Sequence, residues 1–340
     1  MNAPAPRAGV MAWSRVLALG AAILIAIIYA FVASSDPREA MKAFFLSPFS
    51  SDYTFFSMLE YSGPLLICAL GACVAFRAGA FNLGGEGQVS VGTLAAALAA
   101  GISSRLGLDP GLGIAFSILT AAAAGAFLAY LSAIAELKTG AQVMLTSFLV
   151  SQTALIVVDW AVGGPLREEG SNLLGMAPID SVYRLPLLAP PSPLSLGFPL
   201  ALALAALTIL FTKGSRQGME IRLLGKNPSF AWAVGISPKL GAAAMVLSGA
   251  MGGMAGSLLV LGQAGRAVKG MTGGVGWNGL AVALISGTDG LGAVPAALFF
   301  AWLDSGSKQA SILSDLSPDA SSVLVAIALF LITARRRGRR

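Results

Sequence analysis

The chain contains no histidine, two cysteines, and 11% charged residues in a length of 340. Without histidine there is no imidazole to ligate a metal or to pass protons near neutral pH. Cys68 and Cys73 stand five apart in one apolar run, a spacing that does not put them on one helix face, and they read as small buried hydrophobes. Soluble domains carry about 25% charged residues, so a chain that is 56% hydrophobic with so little charge is not built for water. The period-2 alternation of an outer-membrane barrel is also missing; the apolar runs are continuous in Leu, Ala, Ile and Val. A phosphate loop of the G-x-x-x-x-G-K-[ST] type is absent too, since "LGKNP" (residues 224–228) lacks the upstream glycine and the hydroxyl. What remains is an all-α, polytopic helical membrane protein, a single transmembrane domain over residues 1–340.

The apolar runs set the topology. An α-helix needs about 20 apolar residues to cross a bilayer. Spans are expected at residues 16–33, 59–76, 81–100, 112–133, 143–162, 194–212 and 241–262, with a last run at 320–334. The first run is longer than a secretory core and reads as a retained helix, although "VASS" (residues 32–35) would serve as a cleavage site. Arg7 and Arg15 before it place the N-terminus in the cytoplasm. Five of the 22 Lys and Arg lie in the closing "RRRGRR", an anchor on the same side rather than a nucleic-acid site. Both termini can be inside only if "SGTDG" (residues 286–290) breaks the segment 278–303 into two pieces of about a dozen residues each. The expectation is therefore about ten membrane helices, including broken or half-helices. Residues 163–193, rich in proline, form an extracytoplasmic loop. Residues 213–240, with five Lys or Arg against one acid, form a cytoplasmic loop. Glu60 reads as a carboxylate at the start of its helix, and Asp159 as solvated or interfacial.

Polar residues inside the oil are the stronger signal. "FNLGGEGQ" puts Asn82, Gly84, Gly85, Glu86 and Gln88 where a span should be. Non-helical backbone survives at membrane depth only when buried in protein or lining a water-filled path, and transporters use such breaks near the midplane. Asn82 and Glu86, four apart, would share a helix face. Glu86 either faces the pathway or pairs with Arg77 at the aqueous end. Trp277 and Asn278, at the mouth of the broken pair, offer a ring face and an amide that suit a sugar or base, or Trp277 is an interfacial anchor.

In the cytoplasmic loop, Gly225 precedes Asn227 and Pro228, an N-cap followed by Pro at N1. Gly235 is the expected C′ residue. Phe230 and Trp232 are thereby displayed on a short helix facing water, which marks a docking surface or a helix lying along lipid headgroups. Gly249, Gly252, Gly253 and Gly256 make two overlapping G-x-x-x-G pairs for helix packing, within the subunit or at a dimer seam.

"FRAGAFNLGGEGQ", "LLGKNPSFAWAVGIS" and "WNGLAVALISG" together resemble the permease subunits of ATP-binding-cassette importers. The resemblance is to the branch for branched-chain amino acids, simple sugars and nucleosides, with wording nearest the nucleoside and simple-sugar group. It implies a non-enzymatic, multi-pass subunit of the bacterial inner membrane that moves a nucleoside, or alternatively a simple sugar. It further implies a second permease, identical or homologous, a substrate-binding lipoprotein outside, and a cytoplasmic ATPase docked through residues 227–235 that uses the ATP and Mg. No cofactor or metal is expected on this chain. An ion-coupled secondary transporter, with Glu86 as its titrating group, is the rival reading.

Overall fold

The computed structural model describes residues 34–237 and 239–314, with the isolated positions Leu24, Ile28 and Ala326. The expected spans at 16–33 and 320–334, the arginine tail, both termini and Pro238 lie outside the described residues.

Helix boundaries follow local chemistry. Asp36 caps α1 (Pro37–Leu46), accepting from the amides of Arg38 and Glu39. The second helix, α2, runs Asp52–Arg77, beginning seven residues before its expected start. α3 spans Gly85–Leu106 and stops at Gly107, whose left-handed φ of 59° suits glycine. Asp109 then caps α4 (Pro110–Thr139), with Pro110 at N1. α5 covers Val143–Gly163 and α6 Gly197–Gly214. α7 (Arg216–Lys226) and the six-residue α8 (Pro228–Ala233) follow. α9 (Lys239–Leu258) continues as a π-helical turn, Leu259–Ala264. α10 is Val275–Ile285 and α11 Gly290–Leu313.

Six of these are long and apolar enough to cross a membrane: α2, α3, α4, α5, α6 and α9 with its π-helical turn. α10, at 11 residues, spans about 16 Å, half of a hydrocarbon core of about 30 Å. The segment 278–303 is indeed broken at residues 286–289. Only its first piece is short, however; the second belongs to a 24-residue helix.

The described residues divide into two units. In one, up to Met58 and from Phe299 onward, Ala40, Ala43 and Phe44 of α1 pack with Leu303 and Ala310. The Trp302 indole there donates to the Phe45 carbonyl at 3.2 Å. The other unit, Leu59–Leu298, is organised around α9. A side chain at Gly253 would run into the Ala121 carbonyl of α4, and one at Gly249 into Gly125 and Ala129. On the opposite side, Gly256 abuts Val89 and Thr93 of α3, and Gly252 abuts Gln88. The two G-x-x-x-G pairs thus clasp two different helices of the same chain. In lipid, where apolar burial gives no advantage, such close backbone approach is the main source of helix cohesion.

At the end of this unit opposite Arg77, the proline-rich loop forms an ordered strap. Its backbone bonds to the far end of α9 through Leu185 to Leu261 and Ile179 to Gly265. The Tyr183 hydroxyl reaches the carbonyls of Ser103 and Leu108. Glu60 is eight residues into α2, not at its start. It is buried, accepting from the amide and hydroxyl of Ser195 at 2.8 and 2.7 Å. Asp159 accepts from the Gly270 amide.

Candidate functional site

α2 ends at Arg77, and the chain turns back into the bundle instead of starting a helix at once. Residues 78–84 are irregular, and Gly79 adopts a φ of 82°. Several amides of this stretch and of the first turn of α3 find side-chain acceptors. The Leu83 amide donates to Ser147 Oγ at 3.1 Å, the Gly84 amide to Asn82 Oδ1 at 2.8 Å, and the Gly87 amide to Ser151 Oγ at 2.8 Å. Asn82 and Gln88 join by two reciprocal amide bonds of 3.0 and 3.1 Å, and Asn82 also donates to Ser248. Because α3 begins at Gly85, Asn82 and Glu86 do not share a helix face. Glycines interrupt the period that the spacing assumed.

Depth can be counted along the neighbours. Ser248 lies nine residues into α9 from Lys239, about 14 Å at 1.5 Å per residue, close to half of a hydrocarbon core. The polar cluster therefore lies more than two helical turns inside the bundle from that end. Inside it is a cavity of about 10 Å³, edged by Cys68, Asn82, Gln88 and Ser248, at the lower limit for one water.

Glu86 faces a second helix start. Its carboxylate accepts from the amides of Gly274 at 2.9 Å, Gly276 at 2.7 Å and Trp277 at 3.3 Å, the first turn of α10. Side-chain capping of exposed amides is ordinary within one helix; here the cap comes from 188 residues away. Gly85 and Gly276 bring the two backbones together, and a Cβ at Gly276 would collide with the Glu86 amide. Glu86 does not pair with Arg77. That guanidinium donates to Asp289 at 2.8 Å and to the Thr288 carbonyl at 2.7 Å. Lys213 lies 3.3 Å from the same carboxylate.

Past this cap, Trp277 is exposed and its ring is 6.0 Å from that of Phe148. The Asn278 amide approaches the Tyr61 hydroxyl at 3.5 Å. Both native cysteines lie beneath α10: Cys68 against Gly279, and Cys73 with its Sγ 3.6 Å from Ser286 Oγ.

At the basic end, Asn227 Oδ1 accepts from the Phe230 amide, and Pro228 is at N1. The far end closes as a Schellman motif, with Gly235 (φ 84°) donating to Trp232 and Ile236 to Ala231. Ala231 is buried, while Phe230, Trp232 and Val234 are each more than half exposed. A cavity of about 350 Å³ opens beside them, bordered by Gly79, Glu136, Gly225, Pro228, Trp232 and Gly241. Gly225 touches the backbone of Arg77 and Gly79 so closely that no side chain fits between. The end of α7, just ahead of the short helix, and the start of the re-entrant stretch are therefore in direct contact.

Residues 54–334 match the family described as branched-chain amino acid transport system / permease component. The chain belongs to that family. The permease is an ABC transporter subunit of a kind that is not itself an enzyme, and a multi-pass membrane protein. It is 32% identical to a probable riboflavin import permease of Treponema pallidum, over 93% of this chain and 83% of that one. It is 26% identical to a guanosine ABC transporter permease of Bacillus subtilis, with 94% and 91% covered. It is also 26% identical to a glucose ABC transporter permease of Haloferax volcanii, with 97% and 90% covered.

Sequence reading missed Ser147, Ser151 and Ser248, whose side chains complete the polar cluster. One signal was available: Ser147 and Ser151, four apart on a mostly apolar helix, must share a face.

Proposed function

We propose that the permease is one half of the membrane channel of an ABC importer and carries a nucleoside-like solute inward across the bacterial inner membrane. The basic end is then cytoplasmic, in keeping with the positive-inside bias, as are both termini. The observation that carries the reading is α8: a helix capped at both ends, with three large apolar side chains turned outward. Such a patch is a protein contact in waiting, and its partner is a cytoplasmic ATPase that binds ATP and Mg. A second permease completes the channel, and a binding lipoprotein delivers solute to the strap side.

On this reading Asn82, Gly84, Gly85, Glu86 and Gln88 form the gate and do not touch solute, since their polar atoms already bond one another and their neighbours. Trp277 and Asn278 meet the solute, the ring by stacking and the amide by hydrogen bonding. Riboflavin and guanosine, the solutes in two relatives' names, both join a flat heteroaromatic ring to a hydroxylated five-carbon unit, which fits that pair of side chains.

The test is flux in vesicles reconstituted with and without the ATPase. Uptake of guanosine that needs ATP and the ATPase supports the proposal. Uptake that follows a proton or sodium gradient without the ATPase would replace it with the ion-coupled reading.

A further inference from the structure

We propose that Glu86 is a resident anion, permanently filling the anion-binding end of α10, and that the solute passing beside it must be uncharged. The inference rests on the importer reading for its second half and on geometry alone for its first.

The start of a helix presents unpaired amides and a partial positive charge, and anions bind there readily. Broken helices in transporters often offer such an end to a charged group of the substrate. In this permease the end is already occupied. Three amides of the first turn of α10 converge on the Glu86 carboxylate, which is 5% exposed. The fourth, of Val275, bonds to the Thr272 carbonyl. At the other helix start, the amides of Gly84 and Gly87 go to Asn82 and Ser151, and the Glu86 amide lies against Gly276. None of the four amides at the start of α10 is free to receive a solute carboxylate or phosphate.

The charge then acts outward. Trp277 donates its amide to Glu86 while its ring is exposed, so a solute stacked on that ring comes near a fixed negative charge in a low-dielectric setting. Like charges there repel strongly. Hydroxyls and ring nitrogens are tolerated; a second carboxylate is not. Glu86 is thus a positioning residue for α10 and a charge filter for the solute.

The native thiols test the first half. Cys68 and Cys73 are the chain's two cysteines, both buried under α10. In full-length permease in lipid vesicles, Glu86→Ala should speed maleimide labelling of these thiols at least about tenfold, as expected when charge-assisted bonds to a helix start are lost and it opens locally. Formate should slow labelling again, and formamide, alike in shape but uncharged, should not. Unchanged protection in the variant, or equal rescue by formamide, would overturn the resident anion. If the Ala variant does not fold, Glu86→Gln decides: it should label faster than wild type, and wild-type protection would count against the proposal.

The second half is read as ATP-driven uptake by the complete transporter of guanosine, its 5′-carboxamide and its 5′-carboxylate. Wild type should carry the first two and discriminate against the third, and Glu86→Gln should raise the carboxylate-to-guanosine ratio several-fold. The binding protein is the same in both, so a changed ratio belongs to the permease. A ratio that does not change overturns the filter. Absence of any ATP-driven guanosine uptake in wild type would instead strike at the importer reading, and the thiol arm alone would then decide on Glu86.

Discussion

Arg77 and Asp289 lie 2.8 Å apart, tying the last turn of α2 to the turn between α10 and α11. Burial pushes the Asp289 carboxyl up, but the hydrogen bonds and charges of Lys213 and Arg77 outweigh it and hold the group below its ordinary value. A carboxylate lowered in the folded state adds stability that is fully present above its unfolded value, about 3.9. That stability is lost as pH falls through the folded value. Acidification below about pH 4 should therefore loosen this turn. Reaction of Cys73 with a pyridyl disulfide, which works in acid, should accelerate there. Asp289→Asn should show the faster reaction already at neutral pH and lack the acid step.

The double-capped helix α8 predicts a clean separation of assembly from coupling. Replacing Asn227 and Pro228 together by alanine removes the N-cap bond, worth about 1 kcal/mol, from a helix of only six residues. The protein should still insert, because the bundle does not depend on α8. ATP-driven uptake should fall to near background while the ATPase continues to hydrolyse. Normal uptake by the double variant would remove α8 from the coupling path.

The re-entrant glycines are judged by space. A Cβ on Gly84 would lie 2.8 Å from Gln88 Nε2, and one on Gly85 would lie 3.3 Å from the Gly276 carbonyl. Leucine at either position should abolish uptake, and Gly85→Ala should retain a part of it because the neighbour need give only slightly. Uptake rates at equal membrane content check this; an active Gly84→Leu protein would contradict the packing.

For the helix clasp, Gly253→Leu should reduce the yield of folded protein severely, since overpacking alone costs about 1–3 kcal/mol and the contact here is with backbone. Gly101 has nothing within 4 Å of its would-be Cβ, so Gly101→Ala should be neutral or stabilising. Thermal stability in detergent, measured side by side, separates the two.

What could be read from the sequence was what is decided locally. Asn227, Pro228 and Gly235 act within one or two turns, so their order along the chain was enough to draw α8. The glycines at 249, 252, 253 and 256 announced close packing, but the choice of α4 and α3 as partners depends on the arrangement of the whole bundle. The Asn82–Glu86 relation was misread because a helical period was carried through glycines that interrupt it. The partner of Glu86 was out of reach: nothing near residue 86 specifies the amides of Gly274, Gly276 and Trp277. Arg77 misled for the same reason, being close in sequence while its ion pair lies 212 residues on.

Gly225 rests on the peptide units of Arg77 and Gly79 with only a hydrogen atom in between. Soft side chains absorb small displacements by changing rotamer, whereas two backbones in contact have no such cushion. Any thrust that α8 passes back to the end of α7 meets Arg77 and Gly79 with no side chain to yield, so the stiffness of that joint hangs on the smallest substituent a residue can carry.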